Sequence, residues 1–141
     1  MAKRVKGRKR HLGVDSLGLI WAVKVTAASV PEREGAKRLI PQMEASGDRL
    51  KTIYADGGYA GHLEDVFSYF CGWNLQIINK LPDQKGFVLL PKRWIVERTF
   101  AWLYQYRRLS KDYEFEPESS EAIIRWAMIN KMVRTLAPAP T

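Results

Sequence analysis

Leu50-Lys51-Thr52-Ile53-Tyr54-Ala55-Asp56-Gly57-Gly58-Tyr59 is the stretch on which the fold turns. Residues 50–55 read as a strand that ends on Asp56 and is broken at once by two glycines. A carboxylate at the C-terminal end of a strand lies where open α/β sheets place their ligands. Glycines beside it keep side chains away and let a ligand, a metal or another backbone come close. The same residues also make an ordinary Asp-Gly-Gly turn, so spacing alone leaves both readings of Asp56 open.

Downstream, residues 63–70 are expected to be a helix with Leu63, Val66, Phe67 and Phe70 at core spacing, ended by Gly72. Leu75-Gln76-Ile77-Ile78 alternates as a further strand, and residues 80–86 read as a polar loop. Pro91 sits where a helix could begin, because its missing N–H loses nothing in a first turn. From Arg93 the pattern is strongly helical, with Val96, Phe100 and Leu103 on one stripe and Trp94 and Trp102 flanking it. A last helix is expected over residues 119–136, with Ile123, Ile124, Ala127, Met128 and Met132 on its apolar side. Ser119 or Ser120 would cap it, and Glu121 suits its first turn.

Upstream, residues 11–15 and 19–26 read as a hairpin around Ser16-Leu17-Gly18. Pro31 and Glu32-Arg33-Glu34 open a helix with Ala36, Leu39, Ile40 and Met43 on one face, and Pro41 should kink or shorten it. The order β-β-α-β-α-β-α-α predicts a mixed α/β fold whose later strands, joined through helices, run parallel. With no internal repeat or dividing linker, residues 1–141 read as one domain, with a basic segment at 1–10 and a frayed tail at 137–141.

The chain is 46% hydrophobic and 27% charged, which is ordinary globular usage. Its single cysteine, Cys71, excludes a disulfide framework and a cysteine-based zinc cluster. We find no signal peptide and no apolar run near the roughly 18 residues of a membrane span, so a cytoplasmic protein with no membrane partner is expected. Of the net charge of +8, residues 1–11 carry +6 and residues 92–112 carry +4, leaving a near-neutral body. Two concentrated basic segments suggest a polyanion partner, although a solvated basic tail would look the same.

Glu97 is the second acid of interest. It lies on the Arg- and Trp-rich helix, one turn after Arg93, where a solvated helix salt bridge is the plain reading. A carboxylate among Arg93, Arg98, Arg107 and Arg108 is also suited to hold a metal beside a phosphate backbone.

Residues 3–113 resemble the DDE transposases of bacterial insertion sequences. Lys6-Gly7-Arg8-Lys9-Arg10-His11-Leu12 with Val14-Asp15 resembles the hairpin after the family's first catalytic strand. Thr26-Ala27-Ala28-Ser29-Val30 and Glu34-Gly35-Ala36 resemble its next strand-to-helix passage. Ala55-Asp56-Gly57-Gly58-Tyr59-Ala60-Gly61 is similar to the motif of the second catalytic aspartate. Arg93-Trp94-Ile95-Val96-Glu97-Arg98-Thr99-Phe100-Ala101-Trp102-Leu103 is similar to the helix of the catalytic glutamate, followed by Arg107-Arg108-Leu109 and Lys111-Asp112-Tyr113. The specificity lies in five motifs in the family's order across most of the chain.

The resemblance implies a ribonuclease-H-like mixed sheet flanked by helices. It implies DNA cleavage and strand transfer by two divalent ions, Mg²⁺ or Mn²⁺, roughly 4 Å apart between three carboxylates. Asp56 and Glu97 would be catalytic metal ligands, supported by Gly57, Gly58 and Tyr59. Lys6, Arg8, Lys9, Arg10, Arg93, Arg98, Arg107 and Arg108 would contact double-stranded DNA, both transposon ends and target. The family often places Tyr, Arg, Glu and Lys around the glutamate; Leu90 and Tyr104 stand at the Tyr and Lys positions here, so only Arg93 and Glu97 carry over.

The family's first aspartate lies on a strand upstream of the position of Lys3, and no such strand is present here. Asp15 is the only early acid, and its hairpin turn is at the wrong end of its strand for the metals. The expectation is a transposase fragment, near the nucleoid of a bacterium, that is inactive alone and partnered by an upstream transposase half or by copies of itself. The alternative is a non-catalytic DNA-binding module or inhibitor derived from a transposase. His11 reads as a structural or DNA-side contact, His62 as a helix-start residue and Cys71 as a packing residue. Trp73, Trp94, Trp102 and Trp126 read as core or half-core, with base stacking by one of them as the other possibility.

Overall fold

The computed structural model describes residues 6–45, 47–79, 85 and 92–137. Strands β1 (Arg8–Val14) and β2 (Ile20–Ala27) form an antiparallel hairpin, and β3 (Thr52–Ala55) and β4 (Asn74–Ile77) form a separate parallel pair. The helices are α1 (Glu32–Lys37), α2 (Ile40–Glu44), α3 (His62–Val66), α4 (Arg93–Tyr104) and α5 (Pro117–Leu136). The fold is mixed α/β, as expected, but its described strands form two small sheets instead of one.

Alternation along the hairpin divides the core. Ala22 packs with Ala36, Leu39 and Met43 of the α1–α2 layer and with Leu63, Phe67, Trp73 and Leu75. Val23 and Val25, facing the other way, pack with Leu103 of α4, Leu109, and Ile124 and Ala127 of α5. The hairpin is therefore covered by helices on both faces.

Pro41 does more than kink its helix. It separates α1 from α2 and sits in the first turn of the second, where a missing N–H is harmless. After α3 the chain widens into a π-turn, Phe67–Cys71, closed by Gly72 at φ 69°. That widening breaks the 3.6-residue period, so Phe70, expected in the core, is 76% exposed beside an exposed Tyr69. The buried stripe of α4 is Ile95, Thr99 and Leu103, while Val96 and Phe100 turn to a cavity. α5 starts at Pro117 after Glu116, so neither serine caps it, and Ser120 is buried within. Trp73 is core; Trp126, at 69% exposure, is not. The expected helix start at Pro91 and the loop at 80–86 lie, but for Lys85, outside the described residues.

Two contacts orient the pairs of strands. Arg49, just before β3, lies 6.0 Å from the ring of Trp21, at the start of β2 and so beside the end of β1. Tyr59, just after β3, shares a surface pocket with Arg8, Lys9 and Arg10 at the beginning of β1. β1 and β3 thus run in opposite directions. Between them lies a cavity of about 780 Å³, lined by both strands, by the α1–α2 layer and by α4.

Candidate active site

Asp56 follows β3 directly, with extended backbone, and its Oδ1 accepts a hydrogen bond from Gly58 N at 3.0 Å, capping the short turn Gly57–Tyr59. At Gly57 a Cβ would meet the end of the Asn79 side chain, which would have to move aside. Burial holds the Tyr59 hydroxyl above its ordinary pKa, and the Asp56 and Glu32 carboxylates push in the same direction.

Glu97 sits one turn into α4, with Oε1 3.3 Å from Arg93 Nε, and both side chains are well exposed. Its helix is fixed by its neighbours. Thr99 Oγ1 donates to Gly18 O at 2.6 Å, and Arg98 Nη2 donates to Leu17 O at 2.9 Å, so two side chains next to Glu97 grip the hairpin turn. The Arg98 guanidinium also lies 4.7 and 4.8 Å from the rings of Trp94 and Trp102. Gly18, at φ 84°, is required there, because a Cβ would fall 2.9 Å from Thr99 Oγ1.

Asp56 and Glu97, from separate elements, line the same cavity, with Lys92 and Arg93 beside them. Two hard oxygen donors suit one side of a hydrated divalent ion but do not enclose it. Among the described residues no group of three His, Cys, Asp or Glu side chains could hold a metal. Asp15 also lines this cavity, but its Oδ1 accepts from Leu17 N and Leu19 N, and its turn lies by the start of β3, away from Asp56.

Much of the basic charge is engaged by partners within the chain. Arg8 binds Asp112 at 3.1 Å, Glu114 O at 2.9 Å and Phe115 O. Arg10 donates to Leu109 O and Lys111 O, Lys9 pairs with Glu32 at 2.9 Å, and Arg108 pairs with Glu114 at 2.6 Å. Residues 8–10 are part of β1, not a tail; Arg8 and Arg10 fasten the segment after α4 to the hairpin, while Lys9 holds Val30 O and Glu32. Lys6 and Arg107 remain exposed, and Arg93 pairs with Glu97 at the surface. His11 is buried, with Nε2 2.8 Å from Thr26 Oγ1 and its ring packed where a Gly35 Cβ would be; burial and then Lys9 lower its pKa. His62 pairs with Asp65 at 3.5 Å on the surface, and Cys71 packs against the α1–α2 side of the core.

Sequence reasoning missed Gln42 and gave Glu121 a place in the first turn of the last helix, whereas α5 starts at Pro117, its first-turn acid is Glu118, and Glu121 turns to β2. The Gln42 amide accepts from Val23 N and donates to Val23 O, both at 3.0 Å. Glu121, 4% exposed, accepts from Val25 N at 3.0 Å and lies 3.5 Å from Lys24 Nζ. Polar residues at fixed offsets on α2 and α5 were the available signal, but nothing local says that they meet a strand edge.

The profile of the transposase DDE domain family matches residues 2–130. The chain belongs to that family. This transposase domain is 29% identical over 129 residues to a protein described as a transposase for insertion sequence element IS402 of Burkholderia cepacia, an alignment covering 84% of the chain and 59% of the relative. The transposase domain thus spans less than two thirds of the relative's length. No solved structure matches it. No helix among its described residues is long and apolar enough to cross a membrane.

Proposed function

We propose that this transposase domain supplies two of the carboxylates of a divalent-metal site that cleaves and joins DNA phosphodiesters. The observation that supports this most is that Asp56 and Glu97 both line one cavity, with Lys92 and Arg93 also on its wall. Mg²⁺ or Mn²⁺, when bound, would activate water or a DNA 3′-hydroxyl for in-line attack and stabilise the leaving oxygen. Asp56 would offer Oδ2, because Oδ1 is engaged by Gly58 N. Glu97 would hold the metal from α4, and the exposed Arg93 guanidinium beside it would be available to a DNA phosphate. Gly57 and Gly58 would support the site by letting the turn after Asp56 close without side chains, and Tyr59 would support it as a hydrogen-bond donor. Lys6, Arg93 and Arg107 would carry most of the phosphate contact, with Arg8, Lys9, Arg10, Arg98 and Arg108 contributing where their internal partners release them. The sheet of the assembled site would be ribonuclease-H-like, and the third carboxylate would come from outside residues 1–141.

Mn²⁺ titration followed by electron paramagnetic resonance tests the reading. Residues 1–141 should bind Mn²⁺ weakly, and Asp56→Asn or Glu97→Gln should each remove that binding. Duplex DNA binding should fall with salt, and replacing one phosphate-binding cation by alanine should lower the logarithmic slope by about 0.9. The chain alone should not nick DNA. Mn²⁺ binding that survives both substitutions would overturn the proposal in favour of a non-catalytic DNA-binding module.

A further inference from the structure

We propose that the outer face of α5 is a docking surface for a second copy of this chain, the two helices pairing antiparallel about a two-fold axis. α5 is apolar on two opposite sides. On its inner side Ile124, Ala127 and Met128 are buried, and the first two pack against Val23 and Val25 of the hairpin. On its outer side Trp126 is 69% exposed, Ile129 50%, Val133 56% and Leu136 85%. At about 100° per residue these two sets fall half a turn apart. A surface helix of a monomer needs one apolar stripe, whereas a helix apolar on opposite sides is one that is covered on both.

The outer stripe has the spacing of a helix–helix seam. Ala122, Trp126, Ile129, Val133 and Leu136 follow one another by steps of four, three, four and three residues, and all five are exposed. That alternation lets the apolar side chains of one helix enter the gaps of another. The stripe contains no charged residue, so it has nothing to offer a phosphate backbone although the chain carries +8. It presents roughly 500 Å² of apolar surface, on the scale of about 150–250 Å² for a large aromatic side chain. Two copies together cover about 1,000 Å², the lower limit of a specific interface.

The charges of α5 point to a second copy as the occupant. Its first turn carries Glu118 and its last turn Arg134, both exposed and neither in an ion pair among the described residues. An antiparallel copy brings Glu118 of each chain toward Arg134 of the other, and sets the helix dipoles head to tail. A parallel copy would set like charges together. An axis between Trp126 and Ile129 pairs Trp126 with Ile129 and Ala122 with Val133, so each larger side chain meets a smaller one. Arg125, beside the seam, is already held by Gln42 and Glu121. The surface is thus complementary to itself, as a closed two-fold dimer requires. No residue of α5 lines the cavity of Asp56 and Glu97, so the pairing leaves that cavity open and does not rest on the metal reading.

Sedimentation equilibrium of residues 1–141, without metal or DNA, should show a reversible monomer–dimer equilibrium. Its dissociation constant should be of micromolar order, as befits an interface at the small end of the range. Trp126→Glu and Ile129→Asp, both at exposed positions, should each weaken the dimer at least tenfold and leave the urea midpoint of the dilute monomer unchanged. Glu118→Arg and Arg134→Glu should each weaken it about threefold, and the two in one chain should restore it. In a Cys71→Ser background, Ala122→Cys and Val133→Cys chains should form a disulfide when mixed and none when kept apart. A monomer mass at every concentration up to about 1 mM overturns the inference. So does a dimer that survives Trp126→Glu, the sign of a different face, or a disulfide between Ala122→Cys chains alone, the sign of a parallel pair. Loss of duplex binding by monomeric Trp126→Glu would assign the stripe to DNA and overturn it as well.

Discussion

The two edges of the β1–β2 hairpin are finished in opposite ways. The β2 edge meets Gln42 and buried Glu121, so its outward backbone groups at Val23 and Val25 have partners inside the chain. On the β1 edge, among the described residues, Arg8 and Arg10 reach with their side chains to residues 109–115, while Arg10 and Leu12 line the cavity. A blocked edge adds to stability by itself.

That difference can be broken, beginning with the largest expected effect. Glu121→Leu should leave Val25 N unsatisfied and Lys24 without its partner, destabilising the chain by about 3 kcal/mol in urea titration; Glu121→Gln, which keeps an acceptor, should recover much of that. Gln42→Ala removes two hydrogen bonds to a half-buried edge and should destabilise by about 1–2 kcal/mol. Thr99→Val should lose about 1 kcal/mol by freeing the Gly18 turn from α4, and Thr99→Ser should lose less. At the cavity, Glu97→Gln should change stability by no more than about 0.5 kcal/mol, because its exposed Arg93 pair is of small value, while abolishing Mn²⁺ binding. Comparable destabilisation by the Glu97 and Glu121 substitutions would erase the distinction between the two regions.

A pH titration sharpens the same comparison. The folded His11 is held below its ordinary pKa by burial, so the unfolded chain takes up a proton first as pH falls. Stability carried by neutral His11 is therefore full above the unfolded value of about 6.5 and declines as pH falls below it toward the folded value. The urea midpoint should drop across that window, and His11→Asn should flatten the slope. A midpoint independent of pH between about 7 and 5 would show that burial of His11 has no energetic consequence.

Local signals read well where one side chain or a short period decides the outcome. Asp56 with its glycines marks the end of β3, Ser16-Leu17-Gly18 marks the hairpin turn, and residues 50–55 contain the strand Thr52–Ala55. They mislead where a contact distant in sequence decides. Arg8, Arg10 and Arg98 look like free cations because charge is visible in a sequence and carbonyl partners some 80 to 100 residues away are not. The helical period puts Phe70 in the core, but a π-turn is an event of packing, not of period.

By itself, then, the sequence determined the mixed α/β order, the family motifs around Asp56 and Glu97, and the excess of basic charge, because each is local or compositional. Only the tertiary structure decided which cations are engaged, which face of α4 is buried, and that Gln42 and Glu121 cover one strand edge while Leu12 and Tyr54 line a shared cavity. The reason is physical: a backbone N–H or a guanidinium has the same chemistry at every position, and what it meets is set by the chain folded around it.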